Sequence, residues 1–130
     1  MPRVIVVDDE AEKRTELVAA LTGAGFDAVA VSSCEAAAAA RDGGAQLAII
    51  DLMLHGTNGF ELARELRDRA PDVSVILTSD YHFSPTQLAK MDCGAIAFVP
   101  RPFALAELAS FLRAKMDARP EPPRPALALS

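Results

Sequence analysis

The chain has 130 residues, about half of them apolar, and a formal net charge of −5. That length suits one domain and is too short for two full ones. No apolar run approaches the ~18 residues of a membrane span, and an acidic chain without a basic stripe lacks what sequence-independent nucleic-acid binding needs.

Met1-Pro2-Arg3 leads straight into an apolar run, without the pattern of a signal peptide, so a cytoplasmic location is expected. The first strand is Val4-Ile5-Val6-Val7, ending in Asp8-Asp9-Glu10. Residues 11 to 22 follow a helical period with Leu17, Val18 and Leu21 on one stripe, stopped by Gly23 and Gly25. Phe26 to Val31 alternates as a second strand. Ser32-Ser33-Cys34-Glu35 has the form of a capping box, predicting an alanine-rich helix from Glu35 to Asp42. Cys34 and Cys93 have no CxxC or metal-type spacing and read as ordinary helix-start or core residues.

Leu47-Ala48-Ile49-Ile50, an apolar run bounded by turn signals, reads as a strand buried on both faces and ends in Asp51. Asn58 caps a third helix that carries Leu62, Ala63 and Leu66 inward and ends before Pro71. Val73 to Leu77 is a fourth strand, followed by Thr78-Ser79-Asp80. Ser84-Pro85-Thr86-Gln87 combines an N-cap, a first-turn proline and a capping-box glutamine for a short helix to about Asp92. Ala95 to Val99 is the fifth strand, and a fifth helix follows with Leu105, Leu108, Phe111 and Leu112 on one face. Residues 119–130 contain four prolines, a composition expected to be disordered, which leaves 1–118 as the folded unit.

Five strand-then-helix units imply an α/β fold, a doubly wound parallel sheet with helices on both faces. All strand carboxyl ends then share one edge, where ligands bind in such sheets. Asp8, Asp9, Asp51, Thr78 and Arg101 lie at or just after those ends. Carboxylates crowded there need a cation, and Mg²⁺, which takes carboxylates, waters and phosphate oxygens, suits them. One Asp51 oxygen is then placed to attack phosphorus, with Thr78 and Arg101 to hold two of the phosphoryl oxygens.

Each residue also has a plainer reading. Asp51 and Thr78 suit ordinary turns, Asp8 or Asp9 a helix N-cap, and Phe98 a strand core. Tyr81 and His82 read as loop surface, and Lys13, Arg14, Arg64 and Arg67 as solvated helix faces. No Gly-x-Ser-x-Gly elbow is present, and no GxGxxG or Ser/Thr/Gly-rich phosphate loop follows the first strand, to favour a small hydrolytic or flavin-binding α/β domain.

Four stretches in this order and spacing carry a resemblance: Val6-Val7-Asp8-Asp9-Glu10, Asp51-Leu52-Met53-Leu54 with Gly56 to Gly59, Thr78-Ser79, and Phe98-Val99-Pro100-Arg101-Pro102-Phe103. The chain resembles the receiver domain of two-component response regulators over about residues 3 to 116. The resemblance implies a flavodoxin-like five-stranded fold, Asp51 as phosphoacceptor, and Mg²⁺ held by Asp8, Asp9, Asp51 and the backbone carbonyl of Met53. It also implies a switch made of Thr78 and Phe98, a histidine kinase or histidine phosphotransfer protein as donor, and a downstream protein target reached by a change in binding. A monomer or weak dimer with no nucleic-acid or membrane partner is expected, and self-phosphorylation rather than turnover of a substrate. The chain departs from the family at Arg101, usually lysine, and at His55, often proline. The substitution at 101 raises an alternative, a phosphorylation-independent interaction domain of the same fold.

Overall fold

The computed structural model describes residues 2–117, so the proline-rich stretch 119–130 and the boundary at 118 lie outside the described residues. The elements alternate strictly: β1 (Arg3–Val7), α1 (Ala11–Gly23), β2 (Asp27–Ala30), α2 (Ala36–Asp42), β3 (Leu47–Asp51), α3 (Gly59–Arg69), β4 (Ser74–Ser79), α4 (Pro85–Met91), β5 (Ala97–Pro100) and α5 (Leu105–Asp117). All four strand pairings are parallel, in the order β2-β1-β3-β4-β5. This is the flavodoxin-like doubly wound sheet. The chain winds outward from β1 to β2, then returns past β1 to β3. Connections therefore diverge between β1 and β3, opening a crevice at their carboxyl ends.

Side chains alternate across the sheet. Val4, Val6, Leu47, Ile49 and Ile76 face α1 and α5, where Leu17, Leu21, Leu108 and Leu112 close one core. Ile5, Val7, Ala48, Ile50 and Leu77 face the other way, onto α2, α3 and the half-buried Leu88 and Met91 of α4. Every residue of β3 is buried. A continuous apolar run tolerates that position because helices cover both faces, and full burial of each Ile or Leu contributes ~1.5–3 kcal/mol.

Local expectations fare unevenly. Asn58 accepts the Glu61 N–H at 3.0 Å, as a cap should. The Ser84–Gln87 capping box is complete, with reciprocal bonds of 2.8 and 3.1 Å. The Ser32–Glu35 box is not: the Ser32 hydroxyl donates to the Glu35 carboxylate, which leaves the Ser32 backbone N–H unserved by it, and α2 begins at Ala36 with Glu35 as N-cap. β2 is shorter than the alternating run suggests because it lies at the sheet edge, pairing with β1 alone. β4 is longer and contains Thr78 and Ser79, since both find partners on its neighbours.

α4 buries no residue completely. Its carboxyl end is fastened from α3: Arg64 donates to the Met91 carbonyl, and Arg67 to the Asp92 carbonyl and carboxylate at 3.1 and 3.3 Å. Arg64 is therefore not the solvated side chain that its pattern suggests, while Arg67, exposed as expected, still reaches across to α4. They supply the last carbonyls of α4 with donors that a short helix leaves wanting.

Gly59 opens α3 directly beneath Asp51. A Cβ there would stand 2.8 Å from Leu52 Cα and 2.9 Å from the Asp51 carbonyl oxygen, both backbone atoms with no freedom to swing aside. Gly59→Ala should therefore destabilise the protein by about 1–3 kcal/mol through overpacking, despite alanine's advantage of ~1 kcal/mol within a helix. Urea unfolding reads the shift, and an unchanged midpoint would show that this backbone yields freely.

Candidate functional site

The site is assembled at the carboxyl edge of β1, β3, β4 and β5. Asp51, the last residue of β3, stands in register with Thr78 on β4, and the Leu52 N–H donates to the Thr78 carbonyl at 2.8 Å. Asp8 and Asp51 are each only 6% exposed, and Thr78 2%. Burial of two like charges at one edge demands compensation.

Asp8 Oδ1 accepts the Glu10 N–H at 2.9 Å, while Arg14 donates to the Asp8 carbonyl at 2.9 Å. The N-cap of α1 is Glu10, without a side-chain cap bond, so neither Asp8 nor Asp9 serves as its cap. Asp9 instead accepts the His55 backbone N–H through Oδ2, which also lies 3.7 Å from His55 Nδ1. The loop after β3 is thereby tied to the loop after β1. The Met53 N–H donates to Asp51 Oδ1 at 3.2 Å, and its side chain is largely exposed.

Arg101 binds the edge together. Its backbone N–H donates to the Ser79 carbonyl at 2.7 Å, and its 101–102 peptide bond is cis. The guanidinium then reaches three residues. Nη2 donates to Asp51 Oδ1 at 3.0 Å, Nη1 to the Thr78 hydroxyl at 3.1 Å, and Nε to Asp80 Oδ1 at 3.0 Å. The other Asp80 oxygen lies 3.6 Å from Lys13 Nζ, which also pairs with Glu10 at 3.1 Å.

A cleft of about 170 Å³ opens here, lined among others by Asp9, Glu10, Asp51 and Asp80 with Lys13 and Arg101. Four acids face two cations. The titration behaviour follows. Burial raises the Asp8 carboxyl above its ordinary value, and the neighbouring Asp51 charge adds to this against the Glu10 N–H, Arg101 and Lys13. The hydrogen bond from Arg101 holds Asp80 low. Burial works against the Arg101 charge, but Asp80 and Asp51 outweigh it and hold the guanidinium above its ordinary value. The hydrogen bond to Glu10 raises Lys13.

Six of the seven residues singled out from the sequence therefore meet here: Asp8, Asp9, Asp51, Met53, Thr78 and Arg101. Phe98 lies one register step back, opposite Leu77, with its ring edge-on to Phe83 at 5.4 Å, and Phe83 is in turn edge-on to Phe60 at 5.9 Å. Asp80, like Met53, flanks the site in the receiver resemblance, whereas Lys13 was not recognised as a member of this set. The available signal was position: α1 starts at the crowded edge, so a lysine in its first turn returns toward the acids.

The model of the response regulator receiver domain matches residues 4–113. The chain belongs to the response regulator receiver family. Receiver domains serve phosphorelay signalling rather than substrate turnover, receiving their signal from histidine kinases or phosphotransfer proteins. The transcriptional regulatory protein TcrA of Mycobacterium tuberculosis is 35% identical over 126 residues, 96% of this chain and 50% of that protein. The DNA-binding response regulator MtrA of Mycobacterium leprae is 33% identical over 129 residues, 98% of this chain and 57% of that protein. This receiver chain thus spans about half the length of the curated relatives it matches. The expectation of no nucleic-acid partner draws no support from relatives so named.

Among solved structures, the CheY-like receiver domain protein of Methanospirillum hungatei superposes with a TM-score of 0.81 at 22% identity, covering 90% of this chain and 94% of that one. The response regulator TrrA of Thermotoga maritima, solved with Mg²⁺–BeF, gives 0.77 at 29% identity, covering 88% and 98%. No helix among the described residues is long and apolar enough to cross a membrane.

Folding raises the Asp8 pKa, so the folded state holds that proton more tightly than the unfolded chain. Its contribution is favourable below the ordinary carboxylate value and is lost as pH rises through the folded pKa. Asp8→Asn, which keeps an acceptor for the Glu10 N–H, should therefore stabilise the metal-free protein at about pH 7, with the gain shrinking toward about pH 3. Denaturant midpoints across that range test it; a gain independent of pH would remove Asp8 ionisation as the cause.

Proposed function

We propose that the chain accepts a phosphoryl group on Asp51 from a histidine kinase or histidine phosphotransfer protein. The observation that carries this reading is the Arg101 guanidinium, which spans Asp51 and Thr78 with one nitrogen on each. Asp51 Oδ1 is engaged by Arg101 and the Met53 N–H, whereas Oδ2 carries no hydrogen bond among the described residues and Asp51 lines the cleft. Oδ2 is the nucleophile. Its bond to phosphorus forms as the donor's P–N bond breaks, and the electron pair leaves on the imidazole nitrogen. Arg101 and the Thr78 hydroxyl hold two of the three phosphoryl oxygens as the group arrives.

Among the described residues no three Asp, Glu, His or Cys side chains form a metal cluster by themselves. The donor chemistry nonetheless fits a hard cation that keeps several waters: carboxylates of Asp8, Asp9 and Asp51 with the Met53 carbonyl. The elevated Asp8 pKa marks a buried carboxylate short of positive charge. Mg²⁺ there supplies charge neutralisation for the carboxylates and the phosphoryl oxygens. The complex of TrrA with Mg²⁺–BeF supports this assignment by relationship.

Output runs through a change in protein contact. Thr78, moving toward the new phosphoryl group, leaves space beside β4 into which Phe98 can turn out of its edge-on stack with Phe83. The signalling unit is 1–118, acting in the cytoplasm as a monomer or weak dimer. One observation favours a second reading, a phosphorylation-independent interaction domain: the Arg101 salt bridge already satisfies Asp51 without a metal.

Intact-mass spectrometry after incubation with Mg²⁺ and acetyl phosphate separates the two. A Mg²⁺-dependent phosphate adduct, absent in Asp51→Asn, is the expected result. No adduct, under conditions that label a control receiver, would transfer the case to the second reading.

A further inference from the structure

We infer that Asp80, itself held by Lys13, is a positioning residue that aims the Arg101 guanidinium at the phosphoryl-accepting edge. The inference rests on the receiver reading above and deepens it by assigning the control of one of its groups.

A guanidinium is a planar fork, unlike the point charge of a lysine ammonium. Two outer contacts alone leave it able to roll and slide between acceptors, and a third contact at Nε removes that freedom. The three nitrogens of Arg101 go to three different residues: Nε to Asp80, Nη1 to Thr78 and Nη2 to Asp51, all at 3.0–3.1 Å. With Nε fixed, the two outer nitrogens face the hydroxyl and the carboxylate between which a phosphoryl group must fit. Asp80 is braced in turn, its second oxygen lying 3.6 Å from Lys13 Nζ and Lys13 pairing with Glu10. The chain of charge thus runs from the first turn of α1, through the loop after β4, to the loop after β5.

This brace does little for folding. The Asp80 side chain is 65% exposed, and ion pairs so exposed contribute little to stability. Its geometry matters only for what Arg101 does next. A lysine at 101 would have no Nε–H, and Asp80 would have nothing to orient.

That difference supplies the test. Asp80→Asn and Arg101→Lys are made singly and together, and the rate of Mg²⁺-dependent labelling by acetyl phosphate is followed by intact mass. In parallel, the Arg101 Nε–H resonance is observed by NMR for protection from solvent exchange. Asp80→Asn should slow labelling on the order of tenfold in the arginine background, change it less than about twofold in the lysine background, and expose the Nε–H. No slowing, equal slowing in both backgrounds, or an Nε–H indifferent to the substitution each overturns the inference; equal slowing would mean that Asp80 acts through its own charge. Wild-type protein that takes no label while a control receiver does defeats the receiver reading instead. The Nε–H signal then decides by itself, its protection lost on Asp80→Asn if Asp80 positions Arg101 and kept if it does not.

Discussion

Two buried carboxylates at one sheet edge set the terms for the rest of this structure. A parallel sheet brings the ends of β1 and β3 side by side, and with them Asp8 and Asp51. Neither can withdraw into solvent, because the strands that carry them are buried along almost their whole length. Arg101 is the answer from β5, and it anchors itself through its backbone on β4 before spending its side chain on Asp51, Thr78 and Asp80. Asp8 receives less relief, as its elevated pKa records. The imbalance between these neighbours is an electrostatic opening of the kind that suits a hard cation.

Arginine in place of the family's usual lysine changes more than reach. A lysine ammonium is strongly hydrated and exchanges partners freely, whereas a guanidinium distributes its donors in fixed directions. Here three of its five N–H donors, one on each nitrogen, are already engaged. On the proposed function, an arriving phosphoryl group would meet a guanidinium already engaged by Asp51, Thr78 and Asp80, and the free energy of its new bonds would be measured against any of those given up. On that reading its affinity would be a difference between two sets of charge-assisted bonds, sensitive to small changes around Asp80 and Lys13.

The fold was legible because its signals are local and repeat: five apolar runs, each ending in a polar residue and each followed by a helical period. The edge residues followed once all strands pointed one way. What escaped was the destination of long polar side chains. Arg14, Arg64, Arg67 and Lys13 sit at positions that pattern alone assigns to solvent, yet the first three donate to backbone carbonyls of other segments and Lys13 pairs with Asp80. A flexible chain of several bonds spans the gap between elements that a hydrophobic period cannot see. The Ser32–Glu35 box formed only by half for the opposite reason, since the Glu35 N–H reaches the Ser32 hydroxyl oxygen while the Glu35 carboxylate takes the hydroxyl proton rather than the Ser32 backbone N–H.

The fastening of α4 gives the domain an unequal mechanical make-up. α3 and α5 are seated by buried apolar side chains, whose attraction is indifferent to dissolved ions at modest concentration. α4 places only the half-buried Leu88 and Met91 against the core and is otherwise held by two arginine side chains from α3 at its carboxyl end, and charged contacts of that kind weaken as counterions accumulate. The face that includes α4 therefore has a stiffness set by the ionic medium, while the rest of the sheet keeps its own.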